Sequence, residues 1–411
     1  MFLNRMPSTA YYAVDVNNKP FNFFVSAVQL IQEYGKHTIM TMDVQYTGPG
    51  ASRGNAKART SWSYLREGTP VRITYGNYPS ATTTALGYVT SHAVMQTSKD
   101  PVYSGTIVNT VRYTITGTTW KMQSTVNKAW KNYSPTSIAS AVAAKNGLRA
   151  VVHPVRTAYD YRLQNLSDFK FLKALADEIG YKFYVDNTDL YFVNPNIVMG
   201  SSPGSRDVPQ FWRYSNPGIK DTLEEFIPTV GTTTEHNYIA SRTMGGLNPS
   251  TGFYVNAKQG YDLYQAFEQG TTAPVLDQYV GFPVESYAEA QQRLNAYTVI
   301  NQYWVEAKAT VIGDSRVKPN NMVQLVGTGI PEDDAGVWLV KKAVHNLTKP
   351  ARSGNIRSST YRIDMELTRN QSFILQAKQP SRTAASAKTI PPKLVNGVWK
   401  STNIGAIRNA R

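Results

Sequence analysis

The segment that decides the fold runs from Tyr159 to Val193 and reads Tyr-Asp-Tyr-Arg-Leu-Gln-Asn-Leu-Ser-Asp-Phe-Lys-Phe-Leu-Lys-Ala-Leu-Ala-Asp-Glu-Ile-Gly-Tyr-Lys-Phe-Tyr-Val-Asp-Asn-Thr-Asp-Leu-Tyr-Phe-Val. Ser167 can cap a helix, because its hydroxyl can accept a hydrogen bond from a backbone N–H of the first helical turn. Apolar side chains then recur at a spacing that predicts one buried helix face. They are Phe171, Leu172, Leu175, Ala176 and Ile179. Gly180 follows, where a left-handed residue can end the helix at little cost.

The residues after this helix predict a β-hairpin. Tyr181–Val185 and Leu190–Val193 are aromatic and β-branched runs, and Asp186-Asn187-Thr188-Asp189 between them is typical of a turn. The segment is therefore expected to be a helix followed by two antiparallel strands. No residue in it has a catalytic pattern.

A second helix is expected upstream. Ser134 can cap it, and Pro135 suits its first position because proline lacks the N–H that would be free there. Gly147 is placed to end it. Its inward positions are Ile138, Ala141 and Val142. We expect residues 119–200 to form one compact α+β domain.

An ordered string in this domain matches a known pattern of an aromatic strand, Gln, a Ser-Asp that opens a helix, two apolar pairs, Gly and a Phe-Tyr-Val strand. The string is Tyr161, Gln164, Ser167-Asp168, Phe171-Leu172, Leu175-Ala176, Gly180 and Phe183-Tyr184-Val185. It resembles the insertion domain of phage tail and baseplate hub proteins, a family shared by the phage late-control D protein and the hub half of the valine-glycine-repeat spike proteins of type VI secretion. The resemblance implies a mainly β fold with an α+β insertion: two tube-type β-barrel domains and an intervening α/β domain, assembled as a trimeric torus.

Composition bounds the class of protein. A chain of 411 residues with 41% hydrophobic residues has room for roughly two to four domains, each with its own core. The absence of cysteine excludes disulfides, thiolate metal sites and cysteine nucleophiles. No apolar run is long enough to predict a membrane-spanning helix. Met1–Pro7 lacks the features of a signal peptide, so we expect folding in the cytoplasm.

Much of the net charge of +15 lies near the C-terminal end, where residues 371–411 contain seven basic side chains and no acidic one. Such a segment could neutralise nucleic-acid phosphates. A solvated or partner-facing arm is favoured, because no aromatic and basic stacking platform accompanies the charges. We expect an extended basic arm that anchors on another subunit through Val398, Trp399 and Ile404.

The remaining sequence predicts two β domains. Residues 1–118 contain short apolar, β-branched runs at the spacing of a small sandwich or barrel, and we expect a first tube-like β-barrel there. Residues 201–370 are expected to hold the second, with an inserted segment around residues 240–303. Within its last strands, alternate residues of Val305–Val311 and Tyr361–Leu367 are apolar, which predicts half-buried strands.

The inserted segment has two characters. Tyr238–Gly281 is rich in Gly, Tyr and Thr, and we expect irregular hairpins or a loop there. Ser286-Tyr-Ala-Glu289 is a capping box, which predicts the start of a helix. The expected inner face of that helix is Tyr287, Ala290, Leu294 and Tyr297.

Two distant segments share one plan: a strand that ends in Gly, a Gly-led strand with an aromatic residue and a His, and an alternating strand. The first comprises Pro70–Gly76, Gly87–Val94 and Val111–Thr116; the second comprises Asn321–Gly327, Gly336–His345 and Tyr361–Leu367. A chance match between β-meanders is the alternative. If the repeat is real, three chains in a ring present six similar units, which can match a six-fold tube.

The second segment also resembles the hub family. The residues that carry this resemblance are Val305–Val311, Gly313, Pro319, Val323, Leu325, Gly327, Gly336 and His345. Together the two strings extend the resemblance over roughly residues 70–370, with a gap at 197–285.

No pattern predicts catalysis. The histidines His37, His92, His153, His236 and His345 lack paired metal-ligand spacing. The strand residues His92 and His345 are expected to be satisfied core or interface residues. Glu332-Asp333-Asp334 is expected to be a solvated turn rather than a cation or acid–base cluster. Phosphate-loop and serine-elbow motifs are also absent, so we expect no enzyme activity, no cofactor and no metal site.

The leading functional hypothesis is a structural tail hub of a bacteriophage or related injection machine. It would adapt a six-fold tail tube to a three-fold spike or tip. The partners implied are two further copies of the chain, a tail tube or distal tail protein, a spike or tail-tip protein and a tape measure protein. DNA would cross the lumen without specific binding, and the protein would reside in the virion after assembly in the host cytoplasm.

Two alternatives remain open. One is a tail-associated cell-wall-degrading enzyme. The other is a carbohydrate- or nucleic-acid-binding β-protein, since 26 Tyr and 7 Trp could stack on sugars or bases. Aromatic residues spread so evenly are more typical of cores and interfaces.

Overall fold

The fold comes from a computed structural model that describes most of the chain. The described residues are 9–47, 64–78, 81–99, 107–155, 158–195, 208–213, 221–230, 239–248, 251–260, 276–281, 286–302, 305–330, 335–349, 360–369, 393–395 and 398–400. Two compact units are present, one formed by residues 1–229 with 305–369 and the other by residues 230–304 with 370–411. Strands predominate, so the predicted mainly β class is confirmed.

The N-terminal strands belong to one large sheet. They are β1 (Thr9–Val16), β2 (Lys19–Pro20), β3 (Phe24–Glu33), β4 (Ile39–Thr47), β5 (Pro70–Tyr78), β6 (Ala81–Lys99) and β7 (Ile107–Gly117). Strand β1 was not predicted individually. Its alternation buries Ala10, Tyr12 and Val14 and turns Tyr11 outward.

The α+β module follows a 3₁₀ turn at Thr118–Met122. Its elements are β8 (Lys128–Tyr133), α1 (Pro135–Lys145), β9 (Arg149–Val152), β10 (Tyr159–Gln164), α2 (Asp168–Ile179), β11 (Lys182–Asp186) and β12 (Asp189–Val193). Strands β11, β12 and β9 form one sheet, in which β12 and β9 are parallel, while β8 and β10 form a separate two-stranded ribbon.

Local chemistry produces these helices as predicted. The Ser167 hydroxyl accepts a hydrogen bond from the Lys170 N–H at 3.3 Å, and Gly180 ends α2 at φ +70°. All five predicted apolar residues of α2 are buried. Ser134 caps α1 with Pro135 at its first position, and Gly147 follows at φ +68°.

The remaining elements follow in chain order. They are β13 (Gln210–Trp212), β14 (Leu223–Val230), β15 (Ile239–Leu247), β16 (Tyr254–Gly260), β17 (Leu276–Gly281), α3 (Tyr287–Gln302), β18 (Val305–Ile312), β19 (Met322–Val326), β20 (Gly336–Thr348), β21 (Thr360–Arg369), β22 (Lys393–Val395) and β23 (Val398–Lys400). As predicted, β18 and β21 bury every second residue along most of their length.

The second compact unit differs from the sequence-based expectations for residues 238–281 and for helix α3. Strands β15, β16 and β17 form a three-stranded sheet where irregular hairpins or a loop were expected: β15 and β16 are antiparallel, and β17 runs parallel to β15 with a β-bulge after Ile239. Helix α3 packs Ala290 and Leu294 against Met244 and Ala257 of this sheet, but Tyr287 is 61% exposed and does not belong to the buried face. Tyr287 opens the first turn beside the cap Ser286, before the chain meets the sheet.

The two predicted repeats correspond to β5–β7 and β19–β21, and each lies within a set of six strands that has the same strand order as the other. In hydrogen-bonding order the first set is β3-β4-β7-β6-β5-β1, and the second is β14-β18-β21-β20-β19-β13. Each strand of the first set occupies the same place in chain order as its counterpart in the second. The sets differ at one end, where β1 is antiparallel to β5 and β13 is parallel to β19.

A β-bulge marks the same point in both sets and corrects the sequence alignment. It follows Val89 in β6 and Val340 in β20, where each strand pairs with β7 or β21. Counted from the bulge, Val94 and not His92 occupies the position of His345. The two histidines of the shared plan are therefore not equivalent positions, because register and not residue identity defines equivalence.

One ladder joins the two sets into a thirteen-stranded sheet. Strand β20 pairs with β3 in antiparallel register, from Lys342 opposite Glu33 to Thr348 opposite Ala27. Both sets therefore share one continuous hydrogen-bonded sheet within a single chain.

A buried polar cluster fills the core beside this ladder. His345 Nδ1 lies 2.8 Å from the Tyr361 hydroxyl, and the Tyr75 ring of the first set packs edge-on against His345 at 5.3 Å between centroids. Burial, with a smaller effect from the charge of Lys318, lowers the pKa of His345 to about 3. The imidazole is therefore neutral at physiological pH.

The α+β module meets both sets at the same place. Lys318 Nζ lies 2.6 Å from Asp186 Oδ2 at the β11–β12 turn, and Gln32 donates to the Tyr184 hydroxyl at 3.0 Å.

A Cβ added at Gly313 would lie 2.1 Å from the Tyr361 ring, so the close approach of the Gly313 backbone to Tyr361 requires glycine.

We predict that Leu172→Ala lowers the free energy of unfolding by about 2–5 kcal/mol, because Leu172 is fully buried and its truncation leaves a cavity. Urea denaturation followed by circular dichroism measures the loss. Lys170→Ala on the exposed side of the same helix is the matched control, with an expected change within about 0.5 kcal/mol. Equal midpoints for the two variants would contradict the packing described for α2.

A second prediction concerns pH. The unfolded chain protonates His345 near its ordinary pKa of 6.5, whereas the folded chain does so only near 3. The unfolded state thus binds more protons between these values, so stability is greatest above pH 6.5 and falls as the pH is lowered. His345→Phe should be less stable than the native chain at pH 7, since the Tyr361 hydroxyl loses its partner, but the deficit should shrink by about 2 kcal/mol at pH 5.

Tyr361→Phe is the control for this experiment. It removes the same hydrogen bond but keeps the titrating imidazole, so its deficit should stay constant between pH 7 and pH 5. Urea midpoints at the two pH values distinguish the variants. The assignment fails if both deficits change equally with pH.

Candidate functional site: an assembly interface

The described residues contain no cluster of three or more His, Asp or Glu side chains that could hold a metal. His345 lies in the core, as predicted, whereas His92 is exposed and stacks on the Tyr64 ring at 4.4 Å between centroids. His37 is hydrogen-bonded to Thr119, and His153 accepts from the Asn194 N–H.

The structure does not describe the other two candidate features of the sequence. His236 and Glu332-Asp333-Asp334 fall outside the described residues. Within the described part of the chain, no helix is both long and apolar enough to cross a bilayer.

An extended surface on the described part of the chain is one face of the large sheet, here called the polar face. It follows from strand alternation, since the apolar residues of each strand point into the core and their neighbours point outward. The polar face consists of Glu306, Lys308 and Thr310 of β18; Arg362, Asp364 and Glu366 of β21; Lys342, Val344 and Asn346 of β20; Gln29, Ile31 and Glu33 of β3; Ile39, Thr41 and Asp43 of β4; and Arg112 and Thr114 of β7.

Ion pairs cross the strands of the polar face. Arg112 donates two hydrogen bonds to the Asp43 carboxylate, at 2.7 and 2.8 Å. Lys342 Nζ lies 3.0 Å from Glu366 Oε1. These bonds raise the pKa of Arg112 and of Lys342, in each case chiefly through the hydrogen bond to the carboxylate. Both cations therefore stay charged and paired at physiological pH.

Further bonds complete this network. Arg362 Nε lies 2.9 Å from Glu224 of β14. The Asp364 carboxylate accepts from Asn346 at 2.9 Å and from Thr310 at 2.9 Å. As defined above, the polar face carries four cations and five anions, a net charge of −1, in a chain whose net charge is +15. A long polyanion would find no excess of positive charge on it.

The large sheet also has an open strand edge at the far end of β6. Beyond its bulge, Ser91–Lys99 pairs with β7 alone among the described residues, and Ser91–Met95 are all exposed. Val94 and Met95 expose about half of their side chains. An exposed apolar strand edge is a template for pairing with another strand.

A second open edge lies at β14. Among the strands that the structure describes, β14 pairs only with β18. Its exposed residues include Glu224, Glu225, Ile227 and Thr229. Among the described strands, β14 and the far end of β6 thus each have one edge without a partner strand, and the two edges differ in sequence.

The predicted arm anchors are placed only in part. Val398 and Trp399 lie in the β22–β23 hairpin, where Trp399 pairs with Leu394 and Val398 with Val395. Their side chains and Ile404 lie outside the described residues. Their role as anchors therefore stays a prediction.

Comparison with known proteins gives a fold. No protein-family model matches the sequence, and no curated protein matches it. The 43 kDa tail protein of prophage MuSo2 from Shewanella oneidensis aligns over 89% of this chain and 99% of its own, with a TM-score of 0.56 and 13% identity. The tail protein of Neisseria meningitidis MC58 aligns over 90% of this chain and 99% of its own, with a TM-score of 0.57 and 12% identity. At this identity the likeness concerns the fold: the chain has the fold of solved tail proteins, as the resemblance to phage tail and baseplate proteins predicted.

Proposed function

We propose that this chain is a structural tail hub, three copies of which form a ring between a six-fold tail tube and a three-fold spike or tip. The observation that carries the proposal is the duplicated order of six strands within one continuous sheet. Three chains that each present two like units imitate six-fold symmetry, whereas three chains with one unit each do not.

The ladder between β3 and β20 supports this arrangement. It places the two sets side by side in one sheet, with their polar residues on a common face. In the proposed torus each set contributes one tube-type β-barrel, and the α+β module lies between them in sequence. The adaptor then contacts a tail tube or distal tail protein on one side and a spike or tip protein on the other.

The polar face would line the lumen of the ring. Its cations are balanced by carboxylates, and Arg112, Lys342 and Arg362 are paired directly. Lysine or arginine with no such partner would bind phosphate and retard a genome. DNA and the tape measure protein would therefore pass without specific binding. The role requires no catalysis, and the protein would be part of the virion after assembly in the host cytoplasm.

The first test is native mass and symmetry. We expect the full chain to form a particle with the mass of three chains by native mass spectrometry. Class averages from electron microscopy should show a ring with three-fold symmetry and six similar lobes. A chain that stays monomeric at every concentration and salt condition, alone and with its tail partners, would contradict the hub role.

The second test locates the polar face. The chain has no cysteine, so Thr41→Cys supplies a single thiol on that face for a maleimide-linked gold cluster. We expect the gold near the centre of the ring in end-on averages. Lys170→Cys on the exposed side of α2 is the matched control, and its gold should lie away from the lumen. Gold at the periphery of the ring for Thr41→Cys would contradict the assignment of the polar face to the lumen.

A further inference from the structure

The two strand sets differ in which of their strands have a hydrogen-bonded neighbour on both sides. In the second set, Lys342–Thr348 of β20 lies between two neighbours, β21 and β3. In the first set, the segment that follows the equivalent bulge is Ser91–Lys99 of β6. Among the described residues it has only one neighbour, β7.

The strand that pairs with β20, β3, differs from its counterpart in the same way. Strand β3 lies between β4 and β20, and its counterpart in the second set is β14. Strand β14 pairs with β18, the counterpart of β4, and has no second neighbour in the described part of the chain. Each uncovered strand is thus the counterpart of one partner in the β3–β20 ladder.

We infer that β14 of one copy pairs in antiparallel register with Ser91–Lys99 of β6 in a second copy, repeating the β3–β20 ladder between chains. This inference rests on the proposed ring and names the surface that holds it together. The intramolecular ladder is the template, because it joins the equivalent strands with the same polar face outward.

The composition of the two strands fits this pairing. Ser91–Lys99 contains no carboxylate and ends in a lysine, whereas Leu223–Val230 contains two glutamates and no base. Opposite charges at adjoining edges favour one pairing over the pairing of like edges. The β6 segment is also free of proline, and its first eight residues carry no Lys, Asp or Glu, so it lacks two of the devices by which monomeric proteins block open edges. A β-bulge between Val94 and Gln96 is one such device that this segment contains.

Pro228 limits the ladder at one point. Proline has no N–H to donate and is accepted in edge strands. Because the N–H groups of a strand point alternately to its two sides, only every second residue of β14 can donate to the new ladder, and Pro228 donates to neither side.

The proposed contact is head-to-tail, because its two edges differ. An open row of copies has one unpaired β14 edge at one end and one unpaired β6 edge at the other. Such contacts form a ring when the rotation from one copy to the next is a whole fraction of a turn with no shift along the axis, and otherwise they continue as a filament. With three copies, every β6 edge meets one β14 edge and no open edge of this kind remains.

The test is a disulfide scan in the cysteine-free full-length chain. Ala93→Cys is combined in turn with Glu225→Cys, Ile227→Cys and Thr229→Cys, because directly opposed residues of adjacent strands approach closely enough for a disulfide. Under mild oxidation, we expect at least one pair to give a covalent trimer on non-reducing gels as its largest product. Ala93→Cys with Thr41→Cys, in the middle of the sheet, is the matched control and should give no trimer.

The outcomes separate this inference from the proposed function. A three-fold ring in the microscope with no cross-link from any of the three pairs overturns the strand pairing and leaves the hub role standing. A cross-linked ladder that extends beyond three chains supports the pairing and contradicts the closed ring. A monomer without cross-links overturns both.

Discussion

The antiparallel ladder between β3 and β20 is the constraint on which the rest of the structure depends. Seven consecutive residue pairs, from Lys342–Glu33 to Thr348–Ala27, align two distant parts of the chain. Because side chains alternate along a strand, this register decides which residues enter the core and which reach the polar face. Gln29 and Asn346 meet on the outside at 2.9 Å, whereas Leu30 lies opposite His345 on the buried side. A slip of one residue would exchange the two faces and bury charged groups.

The buried side of this ladder is where the parts of the first compact unit meet. His345, Tyr361 and Tyr75 connect the two strand sets, and Lys318 reaches Asp186 in the α+β module. The imidazole is held neutral here, since burial depresses its pKa. Polar groups that hydrogen-bond to one another at such a place favour a single arrangement of the three parts over other packings of the same apolar surfaces.

The charge distribution is consistent with the lumen that we propose for the polar face. The chain as a whole is strongly basic, yet the polar face has slightly more carboxylates than cations. Arg112 and Lys342 are paired across strands, so each phosphate that approached them would have to displace a carboxylate already in place. The basic residues of the C-terminal segment lie elsewhere in the sequence and can serve a different contact.

Local patterns in the sequence determined the elements but not their partners. Ser167, Gly180 and the apolar spacing between them were sufficient for α2, and alternation was sufficient for β18 and β21, because hydrogen bonds and burial within one element depend on neighbouring residues. The repeat was visible as a strand plan, but the plan did not show that His92 and His345 occupy different positions, since a bulge shifts register without leaving a residue signature. Tyr287 was placed inward because helical periodicity does not show where a helix first meets its sheet. The ladder between β3 and β20, the polar face and the two open edges were decided only by the tertiary structure. They depend on backbone hydrogen bonds between segments far apart in the chain, and such bonds are made by groups that every residue shares.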